Sequence, residues 1–135
     1  GVEAVWRRHE VLASAIWAAI ESWEKGGELK ANIQDKKLRS AAVTSLHVQT
    51  PKGTHIRKWL QANTGLTIGI GLGMATPNDP NGDGYFRLGH MGHVNAQMIM
   101  ALIATLETAM IAVGVPHGNN AINRAASVIA KFSEP

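Results

Sequence analysis

The amino-acid sequence predicts an α+β (or α/β) domain in which a small, mostly antiparallel sheet is covered by helices. Two observations carry this. Segments with apolar residues every three or four positions stand at both ends of the chain, and short alternating segments lie between them. Clusters of Gly, Pro, Asn and Asp separate these segments. With 135 residues, 45% of them hydrophobic and 17% charged, the chain is the size of one domain and can bury a core.

Residues 2–25 read as a long amphipathic helix. Val2, Val5, Trp6, His9, Leu12, Ala13, Ile16, Ile20 and Trp23 form one stripe, and Gly26-Gly27 ends it. Residues 29–33 form a strand candidate before a charged turn at 34–39. Residues 42–48 alternate cleanly: Ala42, Thr44, Leu46 and Val48 share one face, and Val43, Ser45 and His47 the other. Pro51-Lys52-Gly53 is a turn, and Thr54 is the expected N-cap of a helix over 54–63 with Ile56, Trp59 and Leu60 inward. Residues 66–70 and 85–88 read as strands around a polar loop. A helix over 94–113, stopped by Gly114 and Pro116, and an amphipathic helix over 121–131 complete the chain. No internal repeat is visible, and strand order is not legible.

The net charge of +3 is mild. Lys36, Lys37 and Arg39 read as a solvated turn rather than a nucleic-acid patch, because the four tryptophans do not interleave with basic residues. Without cysteine there is no disulfide framework and no thiolate metal site, which fits a reducing compartment; a cytoplasmic location is the expectation. The richest apolar stretch, residues 98–115, is interrupted by Thr105, Glu107 and Thr108 and reads as a buried or half-buried helix, not a membrane span. The chain opens on Gly1, inside an amphipathic pattern, as if continuing from a longer protein.

Several constellations could carry chemistry. Asp79-Pro80-Asn81-Gly82-Asp83-Gly84 matches the first half of a calcium loop, but the twelfth position is His90 rather than an acidic ligand; a polar turn is the plainer reading. Gly69, Gly71 and Gly73 alternate without the spacing of a dinucleotide site, which implies a backbone that something approaches closely, or a bulge. His90 and His93 lack a third metal ligand, so no metal is expected. His9 reads as a packed histidine, and His47, His55 and His117 have no visible partner in the sequence. Arg87 stands out. It lies in the apolar strand Tyr85-Phe86-Arg87-Leu88, where a buried charge requires an anionic partner, either a structural carboxylate or a ligand.

Phe86-Arg87-Leu88-Gly89-His90-Met91-Gly92, followed by Asn95, resembles the F-R-(I/L)-G-H-(L/M)-G-x-x-N signature of class V, fold-type I aminotransferases. The similarity is to the alanine–glyoxylate, serine–glyoxylate and serine–pyruvate branch. Gly1 to His9 is similar to that family's G-x-E-x-x-W-x-R-H opening. Residues 43–48, Pro51 and Gly53 resemble its T-x-V-x-V-P-x-G strand and turn, and residues 65–73 its G-(I/L)-x-I-x-x-G-L-G segment. The resemblance runs in order up to Gly114. There are two departures: His93 replaces an aspartate that would cap the helix from Val94, and Ala96 replaces a glutamate. Histidine at that position implies a weaker cap or another use.

The resemblance implies a C-terminal small domain over residues 1–135, with residues 1–25 leading in from a larger domain. Arg87 would clamp the carboxylate of a small amino acid (alanine, serine or similar) or 2-oxo acid (glyoxylate or pyruvate), and the loop Gly71-Leu72-Gly73 would lie near the site entrance. Pyridoxal phosphate would be held by the larger domain, which would supply the Schiff-base lysine, the aspartate on the pyridine nitrogen and the phosphate cradle. Lys25, Lys30, Lys36, Lys37, Lys52, Lys58 and Lys131 all stand where the family has no cofactor lysine. Alone, the chain is therefore expected to be inactive; in the whole protein a homodimer is implied. The alternatives are other chemistry on the same scaffold, as in lyases or pyridoxamine–pyruvate transamination, or a stand-alone α+β binding or dimerisation module.

Overall fold

Helix α1 (Val2–Glu24) carries the apolar spacing to its end, and Leu12, Ile16, Ile20 and Trp23 are buried along it. Its first turns depart from the expected continuous buried stripe. Val2 and Trp6 are each 65% exposed, because the rest of the fold meets the helix only from Leu12 onward on that face. The computed structural model describes residues 1–40, 43–70, 74–90 and 95–132. After α1 come strand β1 (Lys30–Ala31), a 3-10 turn (Lys36–Leu38), β2 (Val43–His47), α2 (Lys52–Thr64), β3 (Gly69–Ile70), β4 (Tyr85–Gly89), α3 (Ala96–Val113) and α4 (Ala121–Phe132).

The four strands form one antiparallel sheet in the order β1-β2-β4-β3. The alternation expected for residues 42–48 holds over Val43–His47, with Ala42 outside the described residues: Thr44 and Leu46 face the core with Leu88 and Phe86 opposite them, while Ser45 faces outward opposite Arg87. The first and third strands are shorter than the pattern suggests. Of 29–33 the strand keeps Lys30–Ala31, with the Asn32 amide still donating to the Ser45 carbonyl at 2.9 Å, and of 66–70 it keeps Gly69–Ile70; both are edge strands. Helices α1, α2, α3 and α4 contribute the remainder of a single core with Trp23, Ile56, Leu60, Ile103 and Leu106 at its centre.

Helix ends show where local signals were redirected. Helix α2 begins at Lys52 with Pro51 in the cap position, not at Thr54. The Thr54 hydroxyl instead donates to Asp83 Oδ1 at 2.6 Å, and its amide donates to the Asp83 carbonyl at 2.9 Å, which ties the helix to the polar loop. Helix α3 is capped by Asn95, whose Oδ1 accepts from the Met98 amide at 2.8 Å. The helix therefore starts at Ala96 rather than 94 and does not depend on a cap from residue 93, which lies outside the described residues. Gly114, in the left-handed conformation (φ 77°), ends it as expected.

Gly26-Gly27 has a different purpose from the one its position suggests. Helix α1 ends through Lys25 in right-handed geometry, so neither glycine is needed to reverse the chain there. The glycines admit the connection between α3 and α4: a Cβ on Gly27 would stand 1.8 Å from the Pro116 carbonyl oxygen, and one on Gly118 would stand 2.0 Å from the Ser22 carbonyl oxygen. Helix α3 is more apolar than the interruptions at Thr105, Glu107 and Thr108 suggest. Its 18 residues, with a mean hydropathy of 1.8, are long and apolar enough to cross a membrane by length and composition. Here Ile99, Ile103, Leu106, Ala109 and Met110 pack into the core, and Glu107 Oε1 accepts from the Trp23 indole at 3.0 Å.

Candidate functional site

Arg87 occupies the middle of β4 on the face opposite the core. The alternation that sends Phe86 and Leu88 inward sends Arg87 outward and leaves it half-buried, so its charge is not sunk in the apolar interior. Its cross-strand neighbours are both small, Ser45 on β2 and Gly69 on β3. Small residues on both sides open a hollow around the guanidinium. Arg87 lines a cavity of about 380 Å³ together with Arg39, Ser40, Ser45, Thr44 and Met74, closed on one side by Ala31, Ile33, Leu38 and Val43. Among the described residues lining it there are two arginines and no carboxylate.

Arg39 is a member of this site that the sequence reading assigned to a solvated turn. Its guanidinium carbon lies 5.6 Å from the Trp17 ring centroid, its Nε donates to the Ile33 carbonyl at 2.6 Å and its Nη2 donates to the Gln34 carbonyl at 3.3 Å. Lys36 of the same cluster pairs with Glu21, which also pairs with Arg124 at 3.0 Å. Partial burial raises the Glu21 carboxyl, but hydrogen bonds and charge from Lys36 and Arg124 outweigh it and hold the group below the ordinary carboxylate range.

Behind the cavity runs a buried polar contact. The Trp17 indole donates to Thr44 Oγ1 at 3.0 Å, and Thr44 Oγ1 lies 2.8 Å from His90 Nε2. Thr44 and His90 are 4% and 0% exposed, so the hydroxyl is the shared partner of two ring nitrogens inside the protein. With the indole donating, the hydroxyl oxygen keeps a second lone pair and its own hydrogen, so it can serve His90 Nε2 in either tautomer. The signal for this contact was a polar residue on the inward face of β2, which requires a partner.

The remaining sequence candidates fall elsewhere. Asp79 caps its own loop: Oδ1 accepts from the Thr50 hydroxyl at 2.8 Å and the Asp83 amide at 2.9 Å, and Oδ2 accepts from the Gly84 amide at 2.8 Å. Burial raises this carboxyl, but the Gly84 amide, the Thr50 hydroxyl and the Asp83 amide together lower it. Its lone pairs therefore serve a turn, in keeping with the plainer of the two readings. The ring of His47 lies against Tyr85 with centroids 4.5 Å apart, and His117 Nδ1 is 2.8 Å from the Val115 carbonyl. Gly71, Leu72, Gly73 and His93 lie outside the described residues.

No protein-family model matches the chain. Relatives were found among curated proteins. An L-aspartate–glyoxylate aminotransferase of Paracoccus denitrificans is 30% identical over 119 residues, covering 86% of this chain and 27% of that protein. A serine–glyoxylate aminotransferase of Arabidopsis thaliana is 31% identical over 119 residues, with the same coverage of 86% and 27%. The chain thus spans about a quarter of the length of the curated relatives it matches. Among solved structures, a pyridoxamine–pyruvate aminotransferase of Mesorhizobium loti superposes with a TM-score of 0.77 at 25% identity, covering 98% of this chain and 32% of that one.

Proposed function

Because the chain belongs to the class V aminotransferases, in their glyoxylate-linked branch, we propose that it supplies the substrate-carboxylate half of an active site. In this reading Arg87 holds the carboxylate of a small amino acid or of a small 2-oxo acid such as glyoxylate or pyruvate. The observation that supports it is the cavity at Arg87: a guanidinium flanked by Ser45 and Gly69, with Arg39 and hydroxyls in the lining. A planar guanidinium can meet a carboxylate with two parallel hydrogen bonds, fixing orientation as well as supplying charge.

The described residues do not fit a pyridoxal phosphate site. Among the described residues no lysine lines the Arg87 cavity, and Lys36 and Lys52 are engaged by Glu21 and Glu28. We assign the cofactor to a larger domain of the whole protein, where it would supply the electron sink for bonds at the substrate's α-carbon. This chain's residues bind and orient. The loop at Gly71, Leu72 and Gly73 near the entrance, a homodimer and a cytoplasmic setting extend the proposal, and they rest on the resemblance alone.

The test is Arg87→Ala in the full-length protein. A bidentate clamp works mainly by positioning, so kcat/KM for carboxylate substrates should fall on the order of 100-fold, with Arg87→Lys restoring only part. Unchanged kinetics would remove Arg87 from the role.

A further inference from the structure

We propose that Gly69 is a positioning residue for Arg87: its missing side chain is the bed across which the guanidinium lies. This rests on the carboxylate-clamp reading of Arg87 and adds a second residue to it.

Gly69 and Arg87 are directly opposite in the β3–β4 register. Side chains on such a pair usually hold their Cβ atoms about 4.5–5.5 Å apart. A Cβ built on Gly69 would stand 3.3 Å from Arg87 Cβ, 3.4 Å from its Nε and 3.5 Å from its Nη2. Two things follow. The strands approach more closely here than two side chains comfortably allow. The arginine also does not stand straight off the sheet; it folds back so that Nε and Nη2 pass over the glycine. Ser45 borders Arg87 on its other side. Held in this way, the guanidinium is confined before any ligand arrives, and less freedom is lost when a carboxylate binds.

A methyl group at residue 69 occupies the space next to Nε and Nη2. It has to displace the guanidinium, the strand or both by several tenths of an ångström. Bidentate recognition is sensitive to displacement, since misplacement by about 1 Å can cost on the order of 100-fold in rate. The closeness implied by the alternating glycines of the sequence thus has, at Gly69, a specific neighbour: the side chain of Arg87.

The experiment is a double-mutant cycle in the full-length holoenzyme, with glyoxylate as the probe acceptor, using Gly69→Ala, Arg87→Ala and the double variant. Gly69→Ala should lower kcat/KM for glyoxylate about 10-fold, mostly through KM, and should have almost no further effect once Arg87 is alanine. An equal loss in both backgrounds means that residue 69 acts through sheet packing and overturns the proposal. A loss for Arg87→Ala with none for Gly69→Ala overturns it while leaving the clamp intact. No loss for either variant refutes the clamp itself. If Gly69→Ala does not fold, the unsubstituted protein decides. Before ligand is added, its Arg87 Nε–H should give a resolved nitrogen–proton resonance protected from solvent exchange; averaging with the exposed arginines overturns the proposal.

Discussion

Replacing Thr44 by valine keeps the branched shape of the side chain and removes one oxygen. That oxygen serves the Trp17 indole at 3.0 Å and His90 Nε2 at 2.8 Å. His90 is fully buried, so the loss of this partner exposes it to a desolvation penalty of about 1–3 kcal/mol. Trp17 is only half-buried and can recover part of its hydrogen bond from water, so about 0.5–1 kcal/mol is assigned to it. The methyl that replaces the hydroxyl gains about 0.8 kcal/mol from burial. The balance is a destabilisation of about 2 kcal/mol, or a fall of roughly 8 °C in Tm for a chain of this size. Thr44→Ser supplies the contrast, since it keeps the oxygen and loses a methyl at about 1 kcal/mol. Urea unfolding followed by tryptophan fluorescence should therefore rank the wild type above serine and serine above valine. If valine equals the wild type or exceeds serine, apolar packing rather than the shared hydroxyl governs this position and the reasoning is refuted.

Two further outcomes are expected. Glu21 and Asp79 are both held below their ordinary range in the folded chain, so their stabilisation is fully present above the unfolded carboxylate values, about pH 4–4.5, and is lost as pH falls through the folded ones. The urea midpoint should be level from pH 7 to about 5 and fall below that, with a shallower fall in Glu21→Gln and Asp79→Asn; a midpoint that rises on acidification contradicts the assignment. Gly118→Ala places a Cβ 2.0 Å from the Ser22 carbonyl oxygen, so the connection must retreat by about 1.4 Å to reach the 3.4 Å of ordinary contact. That strains the 2.9 Å hydrogen bond from the Gly118 amide to the Trp23 carbonyl; a loss of about 2–4 kcal/mol should appear in thermal unfolding, and a neutral variant would show that the helix ends do not meet this closely.

Much of this site was written in local order. Arg87 was conspicuous because a charge interrupts an apolar strand, and the alternation around Val43 to His47 already separated the faces of β2. Arg39 was not legible. In sequence it is one of three basic residues in a turn, and only the packing of that turn on α1 places it over Trp17 and beside the Arg87 cavity. The capping of α3 was misplaced for a related reason: both His93 and Asn95 precede the helix, and the backbone decided that Asn95 would reach the Met98 amide.

Periodicity and turn chemistry, which act over a few residues, determined by themselves the helices, the central strands and the α+β class. Sheet order, the close approach to the Ser22 carbonyl that requires glycine at 118 and the pairing of Arg87 with Gly69 depend on residues far apart in the chain. Only the tertiary structure decided these, because strand register and close approach arise from burying several elements at once, and no local pattern encodes the distance between them.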